Sequence, residues 1–233
     1  MSASPATPDE LILDYAAGSC SPAMSLLMAT HLSMSEHSRQ SYSMLKAAAG
    51  ALFMEAVENR PMHRVSAQSV LDAAEQMAAD DAPDRDENLA YGADDGAVLQ
   101  IAKFAGERPP LPLRPYVADF GDDDAWRRLG RSVAAARLSA SDDQERAHLL
   151  WAKPGVQIAT HRHIGREVVL VLEGAFWDDD VRYGPGDIAV GEDGTVHAPW
   201  IDDGDACLCL AVTEAPVQFV GAFGWMLNRF CRF

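Results

Sequence analysis

His161, His163, Glu167 and His197 are the residues of this chain best suited to do chemistry. Three imidazoles and a carboxylate form the side-chain set that a divalent metal of the zinc, iron or manganese type selects, and such an ion brings open coordination positions and Lewis acidity. The first three lie in the run GVQIATHRHIGREVVLVLEGAF, residues 155–176. His161 and His163 are two apart, so on a strand both point to one face. Ile164, Gly165 and Arg166 read as a short turn. Glu167 then opens a β-prone run, Glu167–Leu172, that stops at Glu173-Gly174. A hairpin of this kind carries three ligands into one cavity from two neighbouring strands. His197 joins them from a later strand, in GPGDIAVGEDGTVHAP. Alternation points Arg162 away from the metal, as a solvated surface group, and no nearby residue besides Glu167 supplies an evident general acid or base.

The elements that must hold these residues divide the chain by character. Residues 1–79 read as helical. Asp9 and Glu10 start a first helix that stops at Gly18, a natural left-handed end. Ser21 and Pro22 restart a second as N-cap and first helical residue. After a turn near Ser33–His37 a third helix runs from Ser38 to about Val57, with Met44, Leu45, Ala48, Leu52, Met54 and Ala56 suited to a buried face. Ser66 caps a fourth over Ala67–Ala79, and the short connections predict a small four-helix bundle. Residues 80–113 are acidic and rich in Pro and Gly, the composition of a linker. Val98–Phe104 within them could add an edge strand.

From residue 114 to 233 the pattern is short apolar runs parted by Gly, Pro or Asp: Trp126–Leu129, Ala134–Leu138, Ala147–Trp151, Val168–Leu172, Asp187–Val190 and Cys207–Val212. Strands at this spacing with no long helix between them predict a closed β-barrel or jelly roll, and the metal residues fall inside it. The fold class expected is thus a multi-domain α + all-β chain.

Bulk composition excludes several functions. The chain has 233 residues, is 48% hydrophobic and carries a net charge of −16. Such a charge repels nucleic acid and suits a basic partner, such as a protein that itself binds DNA. No run of eighteen apolar residues suggests a membrane span, and MSASPATPDELIL has neither the basic start nor the apolar core of a secretory signal, so a cytoplasmic protein is expected. The four cysteines, Cys20, Cys207, Cys209 and Cys231, form no disulfide or zinc framework, and Cys207 and Cys209 read as small buried residues on one strand face.

The metal residues also carry a resemblance. Gly155, His161, His163, Glu167 and Gly174 match the first cupin motif gap for gap, and Gly186, Gly194 and His197 keep the spacing of the second. Glu192 stands where that motif usually has Pro, and Ile201 where it often has Asn; neither is a ligand position. The front half resembles the helical domain of zinc-binding anti-sigma factors of the ChrR type. The likeness rests on Tyr15–Gly18, the Ser-Pro restart, His31 before a short loop, the domain order and the tail GAFGWMLNRFCRF. This family holds a front zinc with His-x3-Cys-x2-Cys and a His near the N-terminus. Here His31 takes the first place, but Ser35 and Ser38 stand at both cysteine positions and the N-terminal His is absent. Serine hydroxyls are poor zinc ligands, so the front site is degenerate and no zinc is expected in it. A natural variant that packs without metal and an engineered Cys→Ser exchange both account for this pattern.

The resemblance implies an anti-sigma factor. Its helical part would bind an extracytoplasmic-function sigma factor, through the first helix and the third from Leu45 to Val57. Its cupin, holding one divalent metal with zinc first and nickel, iron or manganese as alternatives, would sense oxidative stress. Singlet oxygen or an organic peroxide is the implied signal, with Cys207, Cys209 and the ligand imidazoles as its targets. No direct nucleic-acid or membrane contact is expected, and cupins often form homodimers through sheet edges. The rival reading is a metal-dependent cupin enzyme, a dioxygenase or isomerase on a small molecule. A storage or structural cupin is a third, and neither rival gives the front helices a role.

Overall fold

A computed structural model of the chain describes residues 9–56, 109–117, 126–141 and 144–221, with the side chains of 52–56 excepted. The fourth helix, most of the linker with its edge strand, Cys231 and the C-terminal tail lie outside them. Met1–Ala48 and Leu99–Phe233 make one compact unit, and Ala49–Val98 a second.

Helix α1 spans Asp9–Ala17, α2 Pro22–Met34 and α3 Glu36–Ala56. The first ends at Gly18, whose φ of 71° lets the chain turn left-handed while the Gly18 and Ser19 amides bond back to Tyr15 and Asp14. Ser21 caps α2: its Oγ accepts from the Met24 amide at 3.0 Å, with Pro22 behind it in the first turn. Of the residues expected to form a buried face on α3, Met44, Leu45 and Ala48 are described, and two of them are open. Met44 is 67% exposed and Ala48 is exposed, while Leu45 is half-buried. Apolar spacing marks a face that could be covered, but it does not supply the neighbour that covers it.

Among the described residues twelve strands follow: β1 (Arg127–Arg128), β2 (Val133–Arg137), β3 (Arg146–Ala152), β4 (His161–Arg162), β5 (Glu167–Glu173), β6 (Phe176–Asp178), β7 (Val181–Tyr183), β8 (Ile188–Gly191), β9 (Val196–His197), β10 (Trp200–Ile201), β11 (Cys207–Thr213) and β12 (Gln218–Phe219). They form three antiparallel sheets, ordered β1-β2-β3-β11-β5-β8, β10-β6-β7 and β12-β4-β9.

The six-stranded sheet has two apolar faces. Leu149 on β3, Val168 and Leu170 on β5, Ile188 on β8 and Leu210 and Val212 on β11 pack in one core with Leu11 and Ile12 of α1 and Met24, Leu27 and Met28 of α2. The alternate residues Ala152, Val171, Cys207 and Cys209 turn to the other side, where Phe176 and Ile201 meet them. The run from Cys207 to Thr213 is buried throughout because β11 lies between β3 and β5 with both faces covered. Each large side chain so buried contributes about 1.5–3 kcal/mol.

The ligand-bearing segments do not form the expected hairpin. β4 pairs with β9 and β12, whereas β5 pairs with β11 and β8. The turn between them explains why. The Gly165 amide donates to Asp193 Oδ1 at 2.9 Å and the Arg166 amide to Glu214 Oε2 at 2.8 Å, so side chains hold the turn and the chain passes from one sheet to another.

Candidate metal centre

Strand pairing places His161 directly opposite His197 on β9, and His163 follows one residue past β4. The later strand is thus the ladder partner of the first. His197 Nε2 lies 2.9 Å from His161 Nε2 and 2.8 Å from His163 Nε2. Among the described residues these three histidines form the group able to hold a metal ion.

The outer nitrogens decide what the inner ones offer. His161 Nδ1 faces the Ala159 carbonyl oxygen at 2.9 Å, and His197 Nδ1 faces Asp178 Oδ2 at 2.8 Å. Both partners accept, so both Nδ1 atoms carry the proton and both Nε2 atoms present bare lone pairs. Two lone pairs 2.9 Å apart repel unless a cation lies between them. An ion ~2.1 Å from each nitrogen, bound at right angles, sets neighbouring nitrogens ~3 Å apart. The donor set therefore fits a divalent metal.

Glu167 stands apart from this group. Its Oε2 is 3.5 Å from His163 Nδ1, the nitrogen on the far side of the ring from the convergence point. Burial pushes its carboxyl up to about 7 in the metal-free chain. Burial, followed by the neighbouring His197 and His161, pushes His163 down to about 4, and burial also lowers His161. These imidazoles are neutral near pH 7, as metal binding requires. Asp178, which sequence reasoning missed, holds the His197 ring in place. It sits on β6, a three-residue strand without an apolar run to announce it.

Glycine at 191 makes room for the site. A Cβ there would fall 2.7 Å from His163 Nε2. His161 and His197 open on a cavity of about 380 Å³, walled by Val169, Ala189 and Phe176 and reached by Glu167, His148, Cys207 and Cys209. The two sulfurs are 3.5 Å apart, and the Cys209 thiol is raised well above its usual range by its contact with Cys207 and by burial. Arg166 is not free in solvent: its Nη2 pairs with Glu10 of α1 at 3.0 Å.

The degenerate front residues also come together. His31 Nε2 is 2.8 Å from Ser38 Oγ, and Ser35 Oγ donates to Ser38 Oγ at 3.1 Å. His31 Nδ1 meets the carbonyl oxygen of Gly186, between β7 and β8, at 2.9 Å. Hydroxyls in place of thiolates do not suit zinc, and the imidazole nitrogen that faces them is already hydrogen-bonded.

Comparison with known proteins agrees with this geometry. Residues 117–217 match the ChrR cupin-like domain. The chain is 36% identical over 224 residues to the anti-sigma-E factor ChrR of Cereibacter sphaeroides, covering 96% of each protein. It is similar to a chain of the crystal structure of Rhodobacter sphaeroides SigE in complex with the anti-sigma ChrR, with a TM-score of 0.65, 33% identity and coverage of 89% of this chain and 97% of that one. An RmlC-like cupin of Ralstonia eutropha matches at a TM-score of 0.39 and 16% identity, over 45% of this chain and 76% of the other. Identity of 36% with near-complete coverage in both directions shows that the chain belongs to the ChrR family of anti-sigma factors, regulatory proteins and not enzymes.

Proposed function

We propose that this chain binds and inhibits an extracytoplasmic-function sigma factor through its helices, and that its metal-binding cupin is a sensor of oxidative stress. One observation carries the reading: the solved relative that covers 89% of this chain is in complex with the sigma factor SigE. The open face of α3 supports it. Met44 is exposed there and Leu13 is exposed on α1, apolar side chains that a partner protein would cover. The chain's net charge of −16 would attract a basic, DNA-binding partner.

In the cupin, His161, His163 and His197 supply three nitrogen donors. Glu167, whose carboxylate lies 3.5 Å from His163 Nδ1, would supply the fourth ligand of this reading. Zinc is the first choice; nickel, iron and manganese accept the same donors. A bound metal would be held by His161 on β4, His163 just after it and His197 on β9, and through Glu167 it would add a tie from these segments to β5. An oxidant would act on Cys207 and Cys209, whose sulfurs lie 3.5 Å apart, or on the ligand imidazoles. The jelly-roll closure of the sheets, the fourth helix and the division into 1–79, 80–113 and 114–233 belong to the same reading.

Co-expression with an extracytoplasmic-function sigma factor from the source organism tests it. A one-to-one complex that blocks transcription in vitro is expected. A chain that never captures that sigma factor, while fully folded and metal-loaded, would sink the proposal.

A further inference from the structure

We propose that His31, Ser35 and Ser38 form a metal-free clasp that closes the α2–α3 corner and fastens it to the cupin through Gly186. The case rests on the direction of four hydrogen bonds. The Gly186 carbonyl oxygen can only accept, so His31 Nδ1 carries the proton and donates to it at 2.9 Å. His31 Nε2 is then an acceptor, and it takes the Ser38 hydroxyl proton at 2.8 Å. Ser38 Oγ in turn accepts from Ser35 Oγ at 3.1 Å, and Ser35 Oγ accepts from the Ser38 amide at 3.2 Å. Each of these four bonds pairs one donor with one acceptor, and none of them needs a charge.

Burial makes this arrangement costly to break. His31 and Ser38 are each 1% exposed. A buried polar group that loses its partner carries its full desolvation penalty. Burial also lowers the pKa of His31, which keeps the ring neutral. The corner around it is tight: the Ser35 amide donates to the His31 carbonyl oxygen at 2.8 Å. One imidazole and two hydroxyls thus join two helices where a metal ion with thiolates could do so.

The second half of the clasp is its reach. Gly186 lies between β7 and β8, and its own amide donates to the Val171 carbonyl oxygen of β5 at 2.9 Å. Met34, the last residue of α2, lies against it: a Cβ on Gly186 would be 3.8 Å from Met34 Cβ. Strand β8 then runs from Ile188 to Gly191, which abuts the His163 ring. A single short strand therefore has the clasp before its first residue and a metal-site histidine against its last. Loss of the cupin metal would empty one site only, and the helical corner would stay closed.

The test uses the full chain with zinc as the probe. Purified in excess zinc and desalted, it should hold one equivalent, and the double variant His161→Ala/His163→Ala should hold none. Zero in both would refute metal binding by the cupin yet support the clasp. One equivalent left in the double variant would place zinc at the front corner and overturn the clasp. Imidazole nitrogen spectra give a second readout: His31 should show a proton on Nδ1, with shifts unchanged by zinc. A proton on Nε2, or a zinc-dependent shift, would reject it. Side-chain geometry gives a third. His31→Asn keeps a donor near Nδ1, and His31→Gln keeps only a group near Nε2. Amide exchange at Ser35 and Asp187 should quicken about tenfold or more in the Gln variant and less in the Asn variant. Equal rates in the two would remove the tie to Gly186.

Discussion

Gly191→Ala should abolish the proposed metal binding without altering any ligand. A Cβ at 191 would lie 2.7 Å from His163 Nε2, 2.9 Å from its Cδ2 and 3.0 Å from its Cε1. Comfortable contact needs ~3.5 Å, so the ring must retreat by about 0.8 Å. His163 is only 1% exposed, so no open solvent lies beside the ring to receive it. Metal–ligand distances tolerate about 0.2 Å, and the displaced imidazole is lost as a donor. Zinc affinity should fall on the order of 100-fold or more, beyond what loss of an outer hydrogen bond does. The zinc-free fold should suffer less. Gly191 does not take a positive φ, so alanine gains about 0.4–1 kcal/mol by restricting the unfolded chain, against about 1–3 kcal/mol for crowding. Competition with a zinc indicator measures affinity, and urea unfolding of the zinc-free protein measures the remainder. Wild-type affinity in the variant would refute the placement of His163 Nε2 at the metal.

Asp178→Asn leaves the three ligands in place but weakens the anchor on His197 Nδ1, and zinc affinity should drop about 10–100-fold by the same titration, with little change in unfolding. Leu27→Ala removes a fully buried side chain from the core shared by α2 and the sheet. It should cost about 2–5 kcal/mol, and circular dichroism at helix and sheet wavelengths should lose both signals in one transition; two separate transitions would disprove a shared core. His148 is held down to about 4 by burial and by Arg137 and Arg146, so the native ring stays neutral while the unfolded one takes a proton near pH 6.5. That stability is present above pH 6.5 and is lost as pH falls toward 4. The loss at pH 5 is about 2 kcal/mol, so His148→Gln should narrow the stability gap between pH 7.5 and pH 5 by that much.

The long buried strands were legible in the sequence because their apolar runs persist. Val168–Leu172 and Cys207–Val212 appear within one residue of the observed β5 and β11. Helix ends were legible where capping chemistry fixed them, at Gly18 and Ser21. Two-residue strands such as β4 and β9 carry no period, and they are the ones that hold His161 and His197. Motif spacing found those histidines, but it could not say that they face each other across a ladder. Asp178 escaped because its role depends on a ring nitrogen that arrives from a different sheet. The face of α3 was misjudged for the opposite reason: its apolar period is real, yet Met44 is exposed.

Why the front helices and the metal end share a compact unit follows from strand alternation. On β5, Val168 and Leu170 turn to the helices, while Glu167 and Val169 turn to the cavity. On β8, Ile188 turns to the helices and Ala189 and Gly191 line the cavity. A one-residue slip in the register of β5 and β8 would exchange these sets, burying Glu167 among leucines and pulling Gly191 from His163. The pairing Glu167↔Gly191 and Val169↔Ala189 is thus held from both sides, by apolar packing on one face and by the imidazole on the other. A displacement of His163 must strain the face on which α2 rests. The ion pair between Arg166 and Glu10 makes a second link, from the residue beside Glu167 to α1. Exposed ion pairs are weak, so the packed sheet, and not this pair, sets how firmly the cupin-like part and the helices are joined.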